Sequence, residues 1–441
     1  MLNIVDFGAR PSGGELCTQA IQTAIDAADG GAVCIPRGEF LTGTLNLRNA
    51  SLYLEKGAVL KGSADLADYP TIGYVHNEMG DTRSLLYAMD QEGIRVYGEG
   101  AIDLNGDAFF HHDRPNIPAS EVPFSAEQIE ECTRLWTARP NQPLFFLRCR
   151  HIRFEGITIR NAPCWTLTFA ECQDVHALDL VIDNNLRLPN NDGIHVCSCS
   201  DVFIRGCNIS AGDDCVALSC ITNWYRPCER IVISDCIFRS CSKALVVGYM
   251  HSIVRDVCIS NVLIYESNRA LCIMAHTGTG LVENVQFNNC RVDTRVRAGN
   301  WWGNGEAFCI LAVKHSNAGS VRFDEAAHRR NYAVSVRNIR VSGLQCTTEN
   351  ALGIVGEGGN VQDVAFTDVS VTLKDSANRA LKGKRIDVAP GTMDASLPIE
   401  GDYWLHLQGV RDVRFLHARI APFHGQIPGI SQRDCQGIVL E

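Results

Sequence analysis

No apolar run in the 441 residues reaches the ~18 that a membrane-spanning helix needs. Basic residues are in deficit, 40 Lys and Arg against 50 Asp and Glu. The resulting net charge of −10 argues against nucleic acid or an anionic membrane as the main partner. Charge is sparse overall, 20% of residues against 46% hydrophobic, which excludes a mainly disordered chain. The opening segment, Met1-Leu2-Asn3-Ile4-Val5-Asp6, has no basic stretch, no apolar stretch and no cleavage site of a leader peptide. C-x2-C pairs are missing, and the spacings Cys197-x-Cys199 and Cys236-x4-Cys241 are not those of zinc sites.

Against these absences stand 20 cysteines. Disulfide frameworks belong to short secreted chains. Twenty thiols in a chain of this length read instead as small apolar core residues of a cytoplasmic protein with reduced thiols. A length of 441 usually suggests two or three domains, a prior that long β architectures break.

Repeats decide between these. One phrase recurs, an aliphatic residue followed by apolar residues at +2, +5 and +7. Ile152-Phe154-Ile157-Ile159 opens the series, and Val175-Ala177-Leu180-Ile182 and Val202-Ile204-Cys207-Ile209 follow. Further copies begin at Ile231, Val257, Val285, Ile339, Val364 and Val413, with starts 23, 27, 29, 26, 28, 54, 25 and 49 residues apart. The two long intervals look like two turns each. Period-2 alternation broken once in the middle means two short strands joined by a bend. A third apolar run precedes most copies, for example Gly193–Val196, Cys215–Leu218 and Ala270–Met274. Three short strands per ~25 residues is the pattern of a parallel β-solenoid, an all-β fold, and no helix-length segment interrupts it. Near the N-terminus, Ala20-Ile21 and Ala24-Ile25 lie one turn apart and Gly30-Gly31 follows, which predicts a helix over about 16–28. Such a helix can cover the open end of a solenoid. The expectation is therefore a single domain over 1–441 with a cap at about 1–31. Loop insertions fall at about 107–143 (with Pro115, Pro118, Pro123 and Pro140), 300–306 and 374–398.

Position in the repeat brings charges together. Just before the third run of successive coils stand Cys164, Asp192, Asp214, Lys243, Arg269 and Ala307, with Glu306 beside the last. In register these form a column of two carboxylates and then two cations, and Asp213 adds a third carboxylate. Crowded like charges raise at least one pKa, which suits an acid/base pair. Asn190, Asn191 and His195 surround the same place. Asp213-Asp214 lacks the further carboxylate or His spacing of a metal cage, so no metal and no cofactor are expected. The run Asn300-Trp301-Trp302-Gly303-Asn304-Gly305-Glu306 precedes another third strand. A Trp face can stack on a sugar ring, so Trp302 and Glu306 are candidate subsite residues, although a Trp pair can equally pin a loop.

At these residues the chain resembles glycoside hydrolase family 28, the polygalacturonases and rhamnogalacturonan hydrolases. The family's N-T-D-G-I-D and G-D-D motifs stand here as Asn190-Asn191-Asp192-Gly193-Ile194-His195 and Gly212-Asp213-Asp214. Val5-Asp6-Phe7-Gly8-Ala9, Gly30-Gly31-Ala32-Val33 and Glu55-Lys56-Gly57-Ala58 are similar to the family's opening. The resemblance implies a right-handed parallel β-helix and inverting glycoside hydrolysis, in which an acid protonates the leaving oxygen while a base activates water. It implies Asp213 as general acid, with Asp192 and Asp214 activating the water. It also implies substrate contacts near Asn191, His195, Lys243 and Arg269. Three departures stand out: Ser242-Lys243-Ala244 for the family's G-H-G, Arg269-Ala270-Leu271 for its R-I-K, and His195 for the final Asp of the first motif. In the family, that Arg and Lys recognise the uronate carboxylate, so galacturonate and rhamnogalacturonan-type oligosaccharides both stay open as substrates. Exo action is expected from inserts that close a groove. A polysaccharide lyase using Lys243 or Arg269 as base, and a non-catalytic carbohydrate-binding solenoid, are the alternatives.

Overall fold

The computed structural model describes residues 1–11, 14–117, 123–221, 226–314, 330–388 and 396–441. The chain winds as a right-handed parallel β-helix. Two parallel sheets of 24 and 12 strands run its length, the larger folding around two faces of each coil. Antiparallel pairs of strands occur, among the described residues, in three small hairpins outside these sheets.

The bend inferred within each phrase has a local cause. In all nine copies the residue before the first aliphatic position has a positive φ, between 51° and 60°, as at Asp174, Asp201, Asp256 and Asn284. The residue at +4 also has a positive φ in all nine, between 52° and 74°, as at Asp179, Gly206, Asn261 and Asn289. Left-handed backbone is costly for most L-residues, and Asp, Asn and Gly tolerate it best. These two corner columns turn the chain twice per coil and keep the alternation in phase. Asn side chains then link coil to coil along the outside, Asn289 Nδ2 donating to Asn261 Oδ1 (2.8 Å) and Asn261 Nδ2 to Asp235 Oδ1 (3.1 Å).

Inside, the phrase positions stack like on like. Val175 pairs with Val202, Ala177 with Ile204 and Ile182 with Ile209. One hydrophobic core runs without a break from Ile4 to Phe415. Cys207, Cys236 and Cys290 fill its +5 slot as small apolar side chains, and none of the twenty cysteines is in a disulfide. The helix spans Thr18–Ala27, with Ile21, Ala24 and Ile25 buried against the first coil. Its Gln22 donates to the carbonyl of Asn46 (3.0 Å) and accepts from the amide of Asn46 (2.9 Å), so a side chain occupies the open edge where another strand would pair.

The inserts are more ordered than their polar composition suggests. Segment 107–143 carries a hairpin, Phe110–Pro115 with Arg134–Trp136, and a helix at Ala126–Glu131. Segment 374–398 carries a helix at Ala377–Lys382 and a hairpin, Arg385–Asp387 with Ser396–Pro398. Residues 118–122, including Pro118, and 389–395 lie outside the described residues. A further hairpin, Thr71–His76 with Gly80–Arg83, has no counterpart in the repeat reading.

The corner account is testable. Asn289→Val puts a β-branched residue at a φ of 52°, and is expected to cost about 1–2 kcal/mol, read as a lower thermal midpoint. Asn289→Gly should lose clearly less. Equal losses would refute the account.

Candidate active site

Parallel register places the charged column. Counting back two residues from the pairs Leu167↔Ile194, Ile194↔Val216 and Val216↔Leu245 aligns Trp165, Asp192, Asp214 and Lys243. Lys243 pairs directly with Arg269, and Leu271↔Phe308 brings Glu306 next. The column therefore begins at Trp165, not Cys164, and ends at Glu306, not Ala307. The two shifts are one residue each and opposite in direction: the strand at Leu167 starts two residues into its apolar run, whereas the strand at Phe308 starts with it.

The motif glycines are packing requirements. A Cβ on Gly193 would lie 2.5 Å from the carbonyl oxygen of Cys215, and one on Gly212 would lie 2.3 Å from that of Leu188. Both let one coil lie directly on the next beside the carboxylates. Gly212 also donates its amide to Asn191 Oδ1 (2.6 Å), while Asn191 Nδ2 reaches the carbonyl of Asn185 (2.9 Å). Asn191, expected to meet substrate, is thus fully buried and spent on the backbone. Its neighbour Asn190, in left-handed conformation, faces the site instead. Asn190 Oδ1 accepts from Arg139 (3.0 Å), and its Nδ2 lies 3.5 Å from Asp213 Oδ2.

Asp192, Asp213 and Asp214 line one cavity of about 220 Å³, together with His195, Lys243 and Trp302. Burial pushes the Asp192 and Asp213 carboxyls well above the ordinary carboxylate range, and neighbouring carboxylates push the same way. Lys243 Nζ stands 3.0 Å from Asp214 Oδ1 and 4.7 Å from the centre of the Trp302 ring. Burial opposes the Lys243 ammonium, but Asp214 and Asp213 outweigh it and its pKa is raised. His195 stacks on Trp165 at 3.8 Å between centroids, and its Nδ1 lies 3.5 Å from Asp192 Oδ2. Burial lowers its pKa to about 4, so the ring is neutral at neutral pH.

Arg269 and Glu306 do not line the cavity. They were expected to meet substrate, and they meet each other. The guanidinium Nε and Nη2 donate to the Glu306 carboxylate at 3.1 and 3.0 Å, and Nη2 also donates to the carbonyl of Asp387 (2.7 Å). Glu306 further accepts from the amides of Asn304 (2.7 Å) and Asp387 (3.3 Å). This buried pair clamps two inserts to the solenoid. The tryptophans divide: Trp301 Nε1 bonds the carbonyl of Glu131 (2.8 Å) and pins the loop, whereas Trp302 faces the cavity.

Sequence reasoning missed Glu78, Trp165, Tyr249 and Ser219 on the cavity wall. Trp165 was findable, standing in register with Asp192. Glu78 was not, because it rides on the hairpin outside the repeat, where His76 Nδ1 accepts its amide (3.1 Å). Burial, reinforced by Asp214 and opposed by Lys243, raises its carboxyl to about 7. Buried polar atoms without a protein partner collect here: Glu78 Oε2, Asp192 Oδ1, Asp213 Oδ1 and Trp302 Nε1. Native interiors leave few such atoms, so their convergence marks a place for ligand hydroxyls or water. Among the described residues, no group of three or more His, Cys, Asp or Glu side chains could hold a metal ion.

The model of the family Glycosyl hydrolases family 28 matches residues 30–297. A probable polygalacturonase of Vitis vinifera is 26% identical over 63% of this chain and 57% of its own. An exo-poly-alpha-D-galacturonosidase of Dickeya chrysanthemi is 25% identical over 66% of this chain and 50% of its own. The chain thus spans about half the length of these curated relatives. The solved structure of a hyperthermoactive exopolygalacturonase from Thermotoga maritima superposes with a TM-score of 0.65 at 24% identity, covering 84% of this chain and 86% of that one. That likeness concerns the fold.

Two consequences of the electrostatics can be measured. Removing one partner of a buried ion pair costs about 3–5 kcal/mol, so Arg269→Met should lower the melting temperature sharply, and Arg269→Met with Glu306→Leu should recover most of the loss. A double variant no better than the single one would contradict the clamp. Asp213, with its pKa raised in the folded state, keeps a proton that the unfolded chain releases near pH ~3.9. Its contribution to stability is present in acid and lost as pH rises through the raised value. Asp213→Asn should therefore melt higher than the parent at neutral pH, with the gain shrinking toward pH ~4. A gain independent of pH would rule this out.

Proposed function

The chain belongs to glycosyl hydrolases family 28, and from that premise we propose that it is an inverting hydrolase that trims pectin-derived oligosaccharides from one end. The observation that carries the reading is the convergence of Asp192, Asp213 and Asp214 on one cavity, with unpartnered oxygens on Asp192 and Asp213.

Asp213 is the general acid. Its carboxyl is held protonated above the ordinary range by burial and by Asp192 and Asp214, which suits a group that must deliver a proton to the leaving glycosidic oxygen. Asp192 and Asp214 orient and deprotonate the attacking water. The bond from the anomeric carbon to the leaving oxygen breaks, water supplies the new oxygen, and Asp213's proton ends on the leaving alcohol. His195, neutral and fixed between Trp165 and Ser219, donates or accepts a hydrogen bond without adding charge. Action at a chain end is supported by the small cavity, below the ~300–1,000 Å³ of pockets for drug-sized ligands. It is also supported by the inserted walls at Glu78 and Trp302. The names of the Dickeya and Thermotoga proteins agree with that mode. A reducing, cytoplasmic location fits twenty cysteines outside any disulfide.

Asp192→Asn, Asp213→Asn and Asp214→Asn are each expected to cut kcat by about two orders of magnitude or more. The assay is product release from oligogalacturonides and rhamnogalacturonan oligosaccharides, with the anomer of the first product read by NMR. For the parent, kcat/KM should fall as pH rises through the Asp213 pKa. Near-normal rates in two of the three variants, or a retained anomer, would sink the mechanism.

A further inference from the structure

Resting on the hydrolase reading, we propose that the ring enclosed by the cavity is an uncharged sugar and that any carboxylate of the substrate stays outside it. The argument begins with cations. Among the described residues lining the cavity, Lys243 is the one Lys or Arg, and its ammonium is already paired with Asp214 at 3.0 Å. Arg269, the cation on the next coil, is 2% exposed, and its Nε and Nη2 are taken by Glu306 and the carbonyl of Asp387. Arg139 lies behind Asn190, outside the cavity. It donates to the carbonyl of Pro189 (3.1 Å) and to Asn190 Oδ1, with its face toward Phe110 and Trp136.

Against one paired ammonium stand four carboxyls, Glu78, Asp192, Asp213 and Asp214. In the state that hydrolyses, Asp213 holds its proton and Asp192 and Asp214 are ionised, so even with Glu78 protonated two negative charges face the one ammonium. A uronate brought inside would lose its water and find like charge at short range.

Hydrogen-bond chemistry points the same way. The unpartnered atoms at the cavity are mostly carboxyl oxygens, on Glu78, Asp192 and Asp213. Ionised, such a group only accepts; protonated, it donates one hydrogen bond and still accepts, and a sugar hydroxyl answers either state. A neutral sugar presents hydroxyls all round its rim. Its C–H faces meet Trp165, Tyr249, Ala217, Ile221 and Val246 on the same wall. The charge pattern of the column reflects the same division. The one cation that the family resemblance assigns to uronate binding is locked to Glu306, a residue of this chain's own insert.

The experiment compares matched oligosaccharides by the cap at the non-reducing end. Rhamnogalacturonan fragments ending in a neutral sugar are set against those ending in galacturonate, and oligogalacturonides against the same oligomers with the terminal carboxyl reduced to the alcohol. The expected result is a kcat/KM at least about tenfold higher for the uncharged cap in each pair. In the Asp213→Asn protein, a neutral-capped fragment should bind more tightly than its uronate-capped partner by calorimetry. Hydrolysis of uronate caps at an equal or higher kcat/KM overturns the inference and leaves the hydrolase reading standing. Cleavage of none of the four substrates by the parent protein removes that reading and the inference with it.

Discussion

Register between stacked coils is the constraint on which the rest depends. A parallel ladder fixes neighbouring coils at about 4.8 Å, and the left-handed corners keep every coil the same shape. Any column of equivalent residues is then a row of side chains at strand spacing. For aliphatic residues this yields a continuous core. For ionisable residues it is a liability, because like charges so close oppose folding and unlike charges pair whether or not a function needs them.

The charged column shows both outcomes within a few coils. At its far end the conflict is resolved: Arg269 and Glu306 form a bidentate pair, and three further hydrogen bonds hold it in place. At its near end it is not. Asp192 and Asp213 are buried with oxygens that meet no protein donor, and their pKa values are raised for that reason. Lys243 stands between the two regimes, paired with Asp214 and bounded by the Trp302 ring. The place where the fold leaves electrostatics unsatisfied is the place where it can do acid/base work. The asymmetry follows from insertion: Glu306 arrives with the 300–306 loop and meets Arg269, whereas Arg139 of the 107–143 insert stops at Asn190.

Legibility in the sequence followed the same line. The coils were readable because two features repeat together, alternation at +0/+2 and +5/+7 and a break between that Asp, Asn or Gly occupies in most copies. The column was readable because it inherits that period, and so Asp192, Asp213, Asp214 and Lys243 were found. Its ends slipped by one residue, to Cys164 and Ala307, since an apolar run does not mark where a strand begins. Asn191 was chosen over Asn190 because adjacent amides look alike in sequence. Only backbone geometry turns one inward to Gly212 and the other outward to Asp213. Arg269 was assigned to substrate, because its carboxylate partner lies 37 residues away across an insert. Glu78 gave no signal at all, since its hairpin is antiparallel and lies outside the period.

The inserts, unreadable one by one, act as a unit, and Glu131 is the reason. It sits at the end of the helix Ala126–Glu131. Its carbonyl accepts from Trp301, and its carboxylate accepts from the amide of Ala298 (3.2 Å) and from Asn378 Nδ2 (2.7 Å). One residue of the first long insert therefore holds both the loop that carries Trp302 and the helix Ala377–Lys382 of the last. The Arg269–Glu306 clamp fastens the same loop from the other side through Asp387 and Asn304. Trp302 is thus held by anchors outside the cavity as well as by Lys243 against its ring inside it, and the loop that carries it is tied to the buried Arg269–Glu306 pair. On the proposed reading, selectivity for chain ends rests on the residues that anchor the cavity's walls as much as on those that face the sugar.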